Sequence, residues 1–259
     1  METTNINLQQ LTSIAKKASL EAGKAILTVY QNADIGLEVK DDQSPLTLAD
    51  KAAHDVISQH LNVTGLPILS EEGRTIPYDE RKNWTYFWLV DPLDGTKEFV
   101  KKNGEFTVNI ALMYKNRPIM GVIYAPVLKW IYWGSEENGA WKQVGSEDPI
   151  RLVPLEEQEV KTIVASRSHL NQETKEIIDK YPGAETITMG SSLKFMLIAE
   201  NKAQLYPRLA PTMEWDTGSA HGILIALNCQ LFQMGGNEVL IYNKENLLNP
   251  SFIAGISRN

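Results

Sequence analysis

Apolar residues near the N-terminus recur every three or four positions, a spacing that predicts one long amphipathic helix. A second stripe with the same period predicts another helix after Asp50. Between the two stripes, residues 37–40 have the composition of a short strand, and residues 41–45 form a polar loop. The first stripe consists of Leu8, Leu11, Ala15, Ala18, Ala22, Ile26 and Val29, and the second of Ala53, Val56, Ile57, His60 and Leu61.

The period changes to two between residues 105 and 144, where apolar and polar positions alternate. This alternation predicts β-strands with two different faces. Turn-forming residues interrupt it at 115–118 and at 134–139. We therefore expect an antiparallel meander here rather than the parallel sheet of a Rossmann fold.

Two shorter apolar runs before the meander, residues 66–69 and 86–90, predict buried strands. Pro92 should end the second strand because proline cannot donate a hydrogen bond to a strand ladder. The stretch between the two strands, residues 74–83, is polar and contains a proline, so we expect a mobile surface loop there.

A charged, proline-containing stretch at residues 147–158 separates two patterns and predicts a boundary. We expect an α+β N-terminal half at residues 1–157 and an α/β C-terminal half at residues 158–259, where strands and helices alternate. In the second half the pattern predicts strands at 162–165, 185–188, 204–206, 231–233 and 239–242, and helices at 172–181, 192–201 and 216–227.

Composition and charge narrow the class of protein. With 259 residues the chain is long enough to bury a sizeable core, and its formal net charge of −7 argues against a surface that coats nucleic acid. The single cysteine, Cys229, fits a reducing compartment. The polar N-terminus lacks a signal-peptide core, and no apolar run is long enough to span a bilayer. We expect a cytoplasmic protein, with peripheral attachment to the inner membrane left open.

The chemistry concentrates in the segment Asp-Pro-Leu-Asp-Gly-Thr at residues 91–96, directly after a predicted buried strand. Its two carboxylates and the carbonyl of Leu93 are oxygen ligands of the kind that Mg²⁺ takes. A helix that begins at Gly95 or Thr96 would also offer free N–H groups to a phosphate. The alternative is an ordinary helix cap. Two aspartates in one such turn favour a metal site.

Three further carboxylates stand near the ends of other predicted elements. Asp50 precedes the second helix, Glu71 follows the strand at 66–69, and Asp216 precedes the helix at 216–227. Taken alone, Asp216 is best read as a helix N-cap. If these carboxylates converge with those of segment 91–96, their mutual repulsion raises their pKa values unless cations neutralise them.

Three of these segments, in this order and separation, resemble the inositol monophosphatase-like family of Mg²⁺-dependent, lithium-sensitive phosphatases. They are Ser-Glu-Glu-Gly at 70–73, segment 91–96, and Trp-Asp at 215–216. Within that family the chain is most similar to the bacterial 3′(2′),5′-bisphosphate nucleotidase branch. The segments that carry this closer likeness are Lys40 with residues 44–50, Thr-Lys-Glu-Phe at 96–99, Ser-Arg-Ser-His at 166–169 and Gly-Ser-Ser-Leu-Lys-Phe at 190–195.

The resemblance implies a layered α/β/α/β/α sandwich, a mixed α+β and α/β fold, with a site that binds two or three Mg²⁺ ions. It also implies a catalytic role for Asp50 and Thr96, which would orient and deprotonate the attacking water, and for Glu71. The implied metal ligands are Glu71, Asp91, the Leu93 carbonyl, Asp94 and Asp216. The implied substrate-binding residues are Asp94, Gly95, Thr96, His169, Ser191, Lys194, Arg208 and Asp216.

The function that this resemblance implies is hydrolysis of adenosine 3′,5′-bisphosphate, or of the 2′,5′ isomer, to AMP and phosphate in sulfur metabolism. One alternative is an inositol-phosphate or sugar-phosphate phosphatase with the same chemistry. Another is a metal and phosphate sensor that retains the fold without catalysis. The expected partner is a small phosphorylated nucleotide and not a nucleic acid, and the chain could be a monomer or a homodimer.

Overall fold

Two N-terminal helices pack against each other on one face of a large sheet. The computed structural model, which describes residues 6–32, 35–36, 38–39, 45–165 and 172–255, has helix α1 at Leu8–Tyr30, strands β1 at Glu38–Val39 and β2 at Pro45–Leu46, and helix α2 at Leu48–Asn62. The apolar stripes predicted from the sequence are the buried faces of α1 and α2. Strands β1 and β2 form a separate antiparallel ribbon.

The predicted meander is confirmed as the main part of a seven-stranded sheet whose strands follow chain order. The first two strands are parallel to each other, and every later neighbour is antiparallel. The strands are β3 (Ile68–Ser70), β4 (Tyr86–Asp94), β5 (Thr107–Tyr114), β6 (Arg117–Ala125), β7 (Trp130–Ser135), β8 (Gly139–Val144) and β9 (Ile150–Arg151).

Strand β4 does not end at Pro92, so that prediction was wrong. Asp91 pairs with Asn109 and Asp94 with Thr107, which leaves one extra residue in β4. A bulge of this kind tolerates proline because the extra residue needs no ladder hydrogen bond. In a regular strand, residues three apart would face opposite sides of the sheet. The bulge shifts that alternation so that the Asp91 and Asp94 side chains can meet.

The expected surface loop at residues 74–83 was also predicted wrongly in part. It contains the short helix α3 (Tyr78–Arg81), and Arg81 is buried. The Arg81 guanidinium donates to Asn243 Oδ1 and to the carbonyl of Glu245, each at 2.9 Å. These partners lie more than 160 residues away in sequence, which is why a local pattern could not reveal the contact.

The C-terminal half forms a five-stranded mixed sheet. Its strands and helices confirm most of the predicted alternation, and a short helix, α4 (Thr96–Val100), precedes the meander. The remaining elements are β10 (Thr162–Ala165), α5 (Gln172–Ile178), β11 (Glu185–Thr188), α6 (Leu193–Ala199), β12 (Leu205–Arg208), α7 (Glu214–Ile225), β13 (Gln230–Gln233) and β14 (Phe252–Gly255). The strand order in this sheet is β11-β10-β12-β14-β13.

The predicted strand at 239–242 is wrong. Val239 forms only a single bridge to Phe232, after which the chain leaves the smaller sheet. Tyr242 N donates to the carbonyl of Asn116 at 3.0 Å, in the turn between β5 and β6 of the larger sheet. The smaller sheet is instead completed by β14, which pairs with both β12 and β13.

The elements stack in five layers, which confirms the predicted α/β/α/β/α sandwich. Helices α1 and α2 cover one face of the larger sheet, α6 and α7 lie between the two sheets, and α5 covers the outer face of the smaller sheet. Helix α7 lies directly on β6, since a Cβ atom at Gly121 would stand 1.8 Å from the carbonyl oxygen of Ser219. This close approach brings α7 against the larger sheet.

The boundary between residues 157 and 158 stays a prediction, and the apolar core between the sheets contains residues from both predicted halves. In the described parts of the chain, no helix combines the length and apolar character needed to cross a membrane.

Candidate active site

Three aspartates from two distant segments of the chain meet at the end of strand β4. Asp91 and Asp94 come from the bulged end of β4, and Asp216 comes from the first turn of α7. Each offers a carboxylate oxygen, and these oxygens lie within 4.8 Å of one another. Such a compact group of oxygen donors is suited to a hard divalent cation.

Local hydrogen bonds fix the orientation of each carboxylate. Asp91 Oδ1 accepts from the backbone N–H of Leu93 at 3.0 Å, so the turn folds back on its own first residue. Asp216 Oδ2 accepts from the N–H of Met213 at 2.8 Å, which satisfies a donor at the start of α7. Asp216 is therefore not the N-cap that the sequence suggested, because α7 begins at Glu214 and Asp216, its third residue, bonds back to the N-cap residue Met213. One oxygen serves the helix and the other is available to a ligand.

The electrostatics of Asp91 and Asp216 are unfavourable without a bound cation. Burial raises the pKa of Asp91 well above its ordinary value, and the charges of Glu71, Asp94, Asp216 and Asp50 raise it further. The pKa of Asp216 is raised by burial and then by Asp94 and Glu71. Within the described residues, no ion pair joins a lysine or arginine to these three aspartates.

Glu71 and Leu93, the other two predicted ligands, lie beside this group. Glu71 directly follows β3, and its backbone N–H donates to the carbonyl of Val90 at 3.1 Å, next to Asp91. Its carboxylate is near enough to raise the pKa of Asp91 but is not part of the compact group of three. The carbonyl of Leu93 faces the hydroxyl of Thr96 at 3.4 Å.

Asp50 and Thr96, the predicted catalytic pair, do come together. Asp50 lies in the first turn of α2 and is buried, and its Oδ2 accepts from the N–H of Thr47 at 2.8 Å and from the Thr47 hydroxyl at 2.6 Å. Its other oxygen, Oδ1, lies 3.4 Å from the Thr96 hydroxyl. The Thr96 hydroxyl can donate its proton to Asp50 and still accept one from a nucleophile. Such contacts are often long before a substrate binds.

Asp94 also joins the cluster to the C-terminal half of the chain. Its Oδ2 accepts from the Ser191 hydroxyl and from the N–H of Ser192, each at 2.6 Å, and lies 3.4 Å from the Asn109 amide. These donors all meet Oδ2, which leaves Oδ1 as the oxygen that can turn toward a metal. The predicted substrate residue Ser191 therefore lies in direct contact with the predicted metal ligand Asp94.

Sequence reasoning did not identify Thr107 and Asn109, which line this junction. Both are fully buried polar residues on β5, and the Thr107 hydroxyl lies 2.7 Å from that of Ser192. A signal was present, because these are polar positions in an otherwise apolar strand. A buried polar group needs a partner, and the partners are on the adjacent strand and on the turn before α6.

Lys194 is buried in α6 rather than exposed at the surface. Its ammonium donates to the carbonyl of Ser191 at 2.6 Å and reaches that of Met189 at 3.4 Å. Burial lowers the pKa of Lys194 to about 8, the charge of Asp94 raises it, and that of Arg208 lowers it. The side chain therefore stands near both the cluster and Arg208.

Arg208, the last residue of β12, donates to the carbonyl of Pro211 at 3.3 Å, while its Nε is buried without an acceptor in the structure. A buried N–H that lacks an acceptor is costly, so this position is suited to an anionic ligand. Gly95 adopts a φ of 93° before α4, and a Cβ there would stand 3.2 Å from that of Ser191. The predicted residue His169 lies outside the described residues, as does Lys40.

Known proteins resemble this chain along nearly its full length. The model of the inositol monophosphatase family matches residues 7–256. The 3′(2′),5′-bisphosphate nucleotidase CysQ of Salmonella typhimurium is 43% identical over 249 residues, covering 95% of this chain and 98% of that protein. The protein of the same name from Escherichia coli strain K12 is 42% identical over 253 residues, covering 96% and 99% respectively.

A solved structure gives the same result for the fold. The crystal structure of CysQ from Bacteroides thetaiotaomicron, described as a bacterial member of the inositol monophosphatase family, matches with a TM-score of 0.88 at 45% identity. The match covers 98% of this chain and 100% of that one. The resemblance drawn from the carboxylate motifs is therefore confirmed, and the chain belongs to the inositol monophosphatase family.

Proposed function

We propose that the chain is a Mg²⁺-dependent phosphatase that hydrolyses adenosine 3′,5′-bisphosphate, or the 2′,5′ isomer, to AMP and phosphate. This activity would recycle the nucleotide bisphosphate that sulfate assimilation produces. The observation that carries the proposal is the convergence of three aspartates, one buried and two half-buried, beside a turn that holds a buried lysine. The names of the similar CysQ proteins support the same substrate. A cytoplasmic location and a monomeric or homodimeric state are part of the proposal.

The donor set fits a metal. The family is metal-dependent, and the aspartate cluster could bind an ion. Carboxylate and carbonyl oxygens favour Mg²⁺ over softer ions, which prefer nitrogen and sulfur ligands. We assign Glu71, Asp91, the Leu93 carbonyl, Asp94 and Asp216 as the ligands of two or three Mg²⁺ ions. When bound, the ions would neutralise the phosphate and lower the pKa of the attacking water.

Asp50 and Thr96 handle the proton in this proposal. The Thr96 hydroxyl donates to Asp50 and uses a lone pair to accept the proton of the attacking water. Asp50 is the general base that receives the Thr96 proton. Its two bonds from Thr47 hold the carboxylate in place for this step. Glu71 orients the same water, and the backbone N–H groups of Gly95 and Thr96 hold the reacting phosphate.

The second phosphate of the substrate requires cations outside the aspartate cluster. Lys194 and Arg208 are the described residues best suited to this role, because each is near the cluster and neither is ion-paired to it. The unpartnered Nε of Arg208 adds a donor without an acceptor. Ser191 would contact the ribose or the phosphate, and His169 would add a further donor.

Phosphate release from three reactions tests the proposal. Adenosine 3′,5′-bisphosphate should release phosphate rapidly with Mg²⁺ and not after the metal is removed with EDTA, and inositol 1-phosphate should be a much poorer substrate. Preference for inositol 1-phosphate would replace the nucleotidase proposal with an inositol-phosphate phosphatase. No release from either substrate at millimolar Mg²⁺ would indicate a non-catalytic sensor.

Lithium provides an independent check on the proposed metal chemistry. A small monovalent ion can occupy a weakly held metal position without supplying the charge that hydrolysis needs. We expect millimolar LiCl to inhibit phosphate release, with NaCl at the same concentration as the control for ionic strength. Equal activity in both salts would argue against the proposed metal sites.

A further inference from the structure

The turn that precedes α6 is held in place by hydrogen bonds to residues that lie next to or within the larger sheet. Ser191 has a φ of 54°, in the left-handed region that non-glycine residues rarely adopt. The carboxylate of Glu105 accepts from the N–H of Gly190 at 2.7 Å, and that of Asp94 accepts from the N–H of Ser192 at 2.6 Å. Both anchors lie about 85 to 100 residues earlier in the chain. The turn therefore depends on partners in the N-terminal half.

The hydroxyl groups at this junction can be assigned directions by counting protons. A carboxylate only accepts, so Ser191 donates its proton to Asp94. Thr107 lies 2.6 Å from the Ser191 oxygen and must then be the donor in that contact. The Thr107 hydroxyl also lies 3.1 Å from Asn109 Oδ1, a longer contact that its single proton cannot serve at the same time. The Ser192 proton has two acceptors within reach, Thr107 at 2.7 Å and Asn109 Oδ1 at 2.9 Å. The directed part of the network therefore runs from Thr107 through Ser191 to Asp94.

The position of the Lys194 ammonium depends on the same turn. The carbonyl of Ser191 accepts from Lys194 at 2.6 Å, so a rotation of the turn would move the acceptor that holds the ammonium. The turn has little space to shift elsewhere, since a Cβ at Gly190 would stand 2.7 Å from the carbonyl oxygen of Glu105. Thr107 is fully buried and is the middle hydroxyl that joins both serines.

We infer that Thr107 is a positioning residue that sets selectivity for a substrate with two phosphates. Its hydroxyl orients Ser191, and Ser191 in turn holds Lys194 at the distance that the second phosphate requires. Thr107 itself touches neither substrate nor metal in this account. The inference rests on the proposed function and adds a residue to it that the sequence motifs do not contain.

Thr107→Val tests the inference because it removes the hydroxyl and keeps the shape. Two substrates separate its effect: adenosine 3′,5′-bisphosphate carries both phosphates, whereas 3′-AMP carries only the reacting one. We expect kcat/KM for the bisphosphate to fall by about tenfold, the size of one or two hydrogen bonds, with a much smaller change for 3′-AMP. Isothermal titration with the bisphosphate in EDTA should show a matching loss of affinity without any turnover.

Two further variants act as controls. Thr107→Ser keeps the hydroxyl and should retain the wild-type ratio between the substrates. Thr174→Val removes a buried threonine in α5, away from the site, and should also leave the ratio unchanged. If Thr107→Val does not fold, Thr107→Ala removes the same hydroxyl with a smaller side chain and should reproduce the loss of selectivity.

Three results would overturn the inference. They are an equal fall for both substrates in Thr107→Val, no change for either substrate, and a loss of selectivity in Thr107→Ser as large as in Thr107→Val. The wild-type protein tests the proposed function separately. If it releases no phosphate from the bisphosphate, the proposed function fails, whereas an active wild type with an unselective Thr107 result contradicts only the role of Thr107.

Discussion

Glu214 and Asp91 are both buried carboxylates near the start of α7, but their surroundings differ. Glu214 accepts from the N–H of Asn243 at 2.6 Å, the N–H of Lys244 at 3.0 Å and the Lys244 ammonium at 2.6 Å. Asp91 accepts one backbone hydrogen bond, from Leu93, and faces four other carboxylates. Burial raises the pKa of both carboxylates, but the charge of Lys244 and the backbone donors lower that of Glu214, whereas Asp91 stands among charges of the same sign.

This difference separates a structural role from a ligand-binding role. A buried charge is tolerated when a partner and hydrogen bonds compensate it, as Lys244 and two backbone donors do for Glu214. Glu200 is a second example, since it pairs with Lys142 and Lys202 and accepts from Tyr132. The aspartate cluster has no such cation among the described residues. Clustered carboxylates with strongly raised pKa values mark a site that a bound cation completes.

The variant Asp94→Asn should show the largest effect, which is a loss of catalytic activity. The change removes one charge from the cluster and no core volume, so the metal should bind poorly while the fold remains. Metal-assisted charge stabilisation is worth several kcal/mol, and about 1.4 kcal/mol is a factor of ten, so kcat should fall by about a thousandfold. The exposed change Asp179→Asn is the control. An unchanged kcat at ordinary Mg²⁺ would remove Asp94 from the site.

Replacing Glu214, the carboxylate that has partners within the protein, should lower the free energy of unfolding rather than the activity. Glu214→Gln leaves the Lys244 ammonium without its charged partner, and breaking a buried pair in this way costs about 3 kcal/mol. Urea unfolding should show this loss equally with and without Mg²⁺. Glu200→Gln provides the comparison at a site remote from the aspartates. If the destabilisation disappeared on adding Mg²⁺, Glu214 would belong with the metal ligands. That result would contradict the distinction between a structural Glu214 and a ligand-binding Asp91.

The two basic residues near the cluster should affect selectivity. Since Lys194 and Arg208 form no ion pair with the aspartates, their charges are available to the second phosphate. A charge-assisted contact contributes roughly 1.5–3 kcal/mol, so Lys194→Ala or Arg208→Ala should lower kcat/KM for adenosine 3′,5′-bisphosphate by about ten- to a hundredfold. Hydrolysis of 3′-AMP should change far less. Equal losses on both substrates would place the second-phosphate pocket elsewhere.

The smallest expected effect is a gain in stability, in Asp91→Asn. Without metal, this change removes a buried charge that four neighbouring carboxylates repel, and its amide oxygen can still accept from Leu93. Because burial and this repulsion disfavour the charged form of Asp91, we expect the metal-free protein to become slightly more stable. Urea unfolding in EDTA measures this change in the free energy of unfolding, and the exposed variant Asp179→Asn is the control. A loss of stability would show that Asp91 is already compensated.

The parts of the fold that the sequence predicted are those that local spacing determines. The seven-residue stripe of α1 and the alternation of the meander both depend on which face of an element is buried, and that periodicity is visible in the chain. The site motifs were also local, because Asp91 and Asp94 share one turn and Asp216 begins a helix. Their convergence had to be inferred from family resemblance, since nothing near Asp216 in sequence points to β4.

The features that were missed depend on contacts between distant segments. The bulge at Pro92 exists because β4 pairs with β5, and the proline alone indicated an end. Arg81 was assigned to a loop because its buried partner Asn243 is 162 residues away. Thr107 read as one polar position in an alternating strand, and its contact with Ser191 spans 84 residues. Such pairings leave no periodic signal in a single sequence.

The most direct test of the aspartate cluster is to locate a cation in a crystal of the protein. Mn²⁺ takes the same oxygen ligands as Mg²⁺ and gives an anomalous signal that identifies it. In crystals grown with Mn²⁺, we expect anomalous peaks within coordination distance of Asp91, Asp94 and Asp216 in the wild type, and their loss in Asp94→Asn. Peaks confined to surface carboxylates, with none between these three aspartates, would contradict the account.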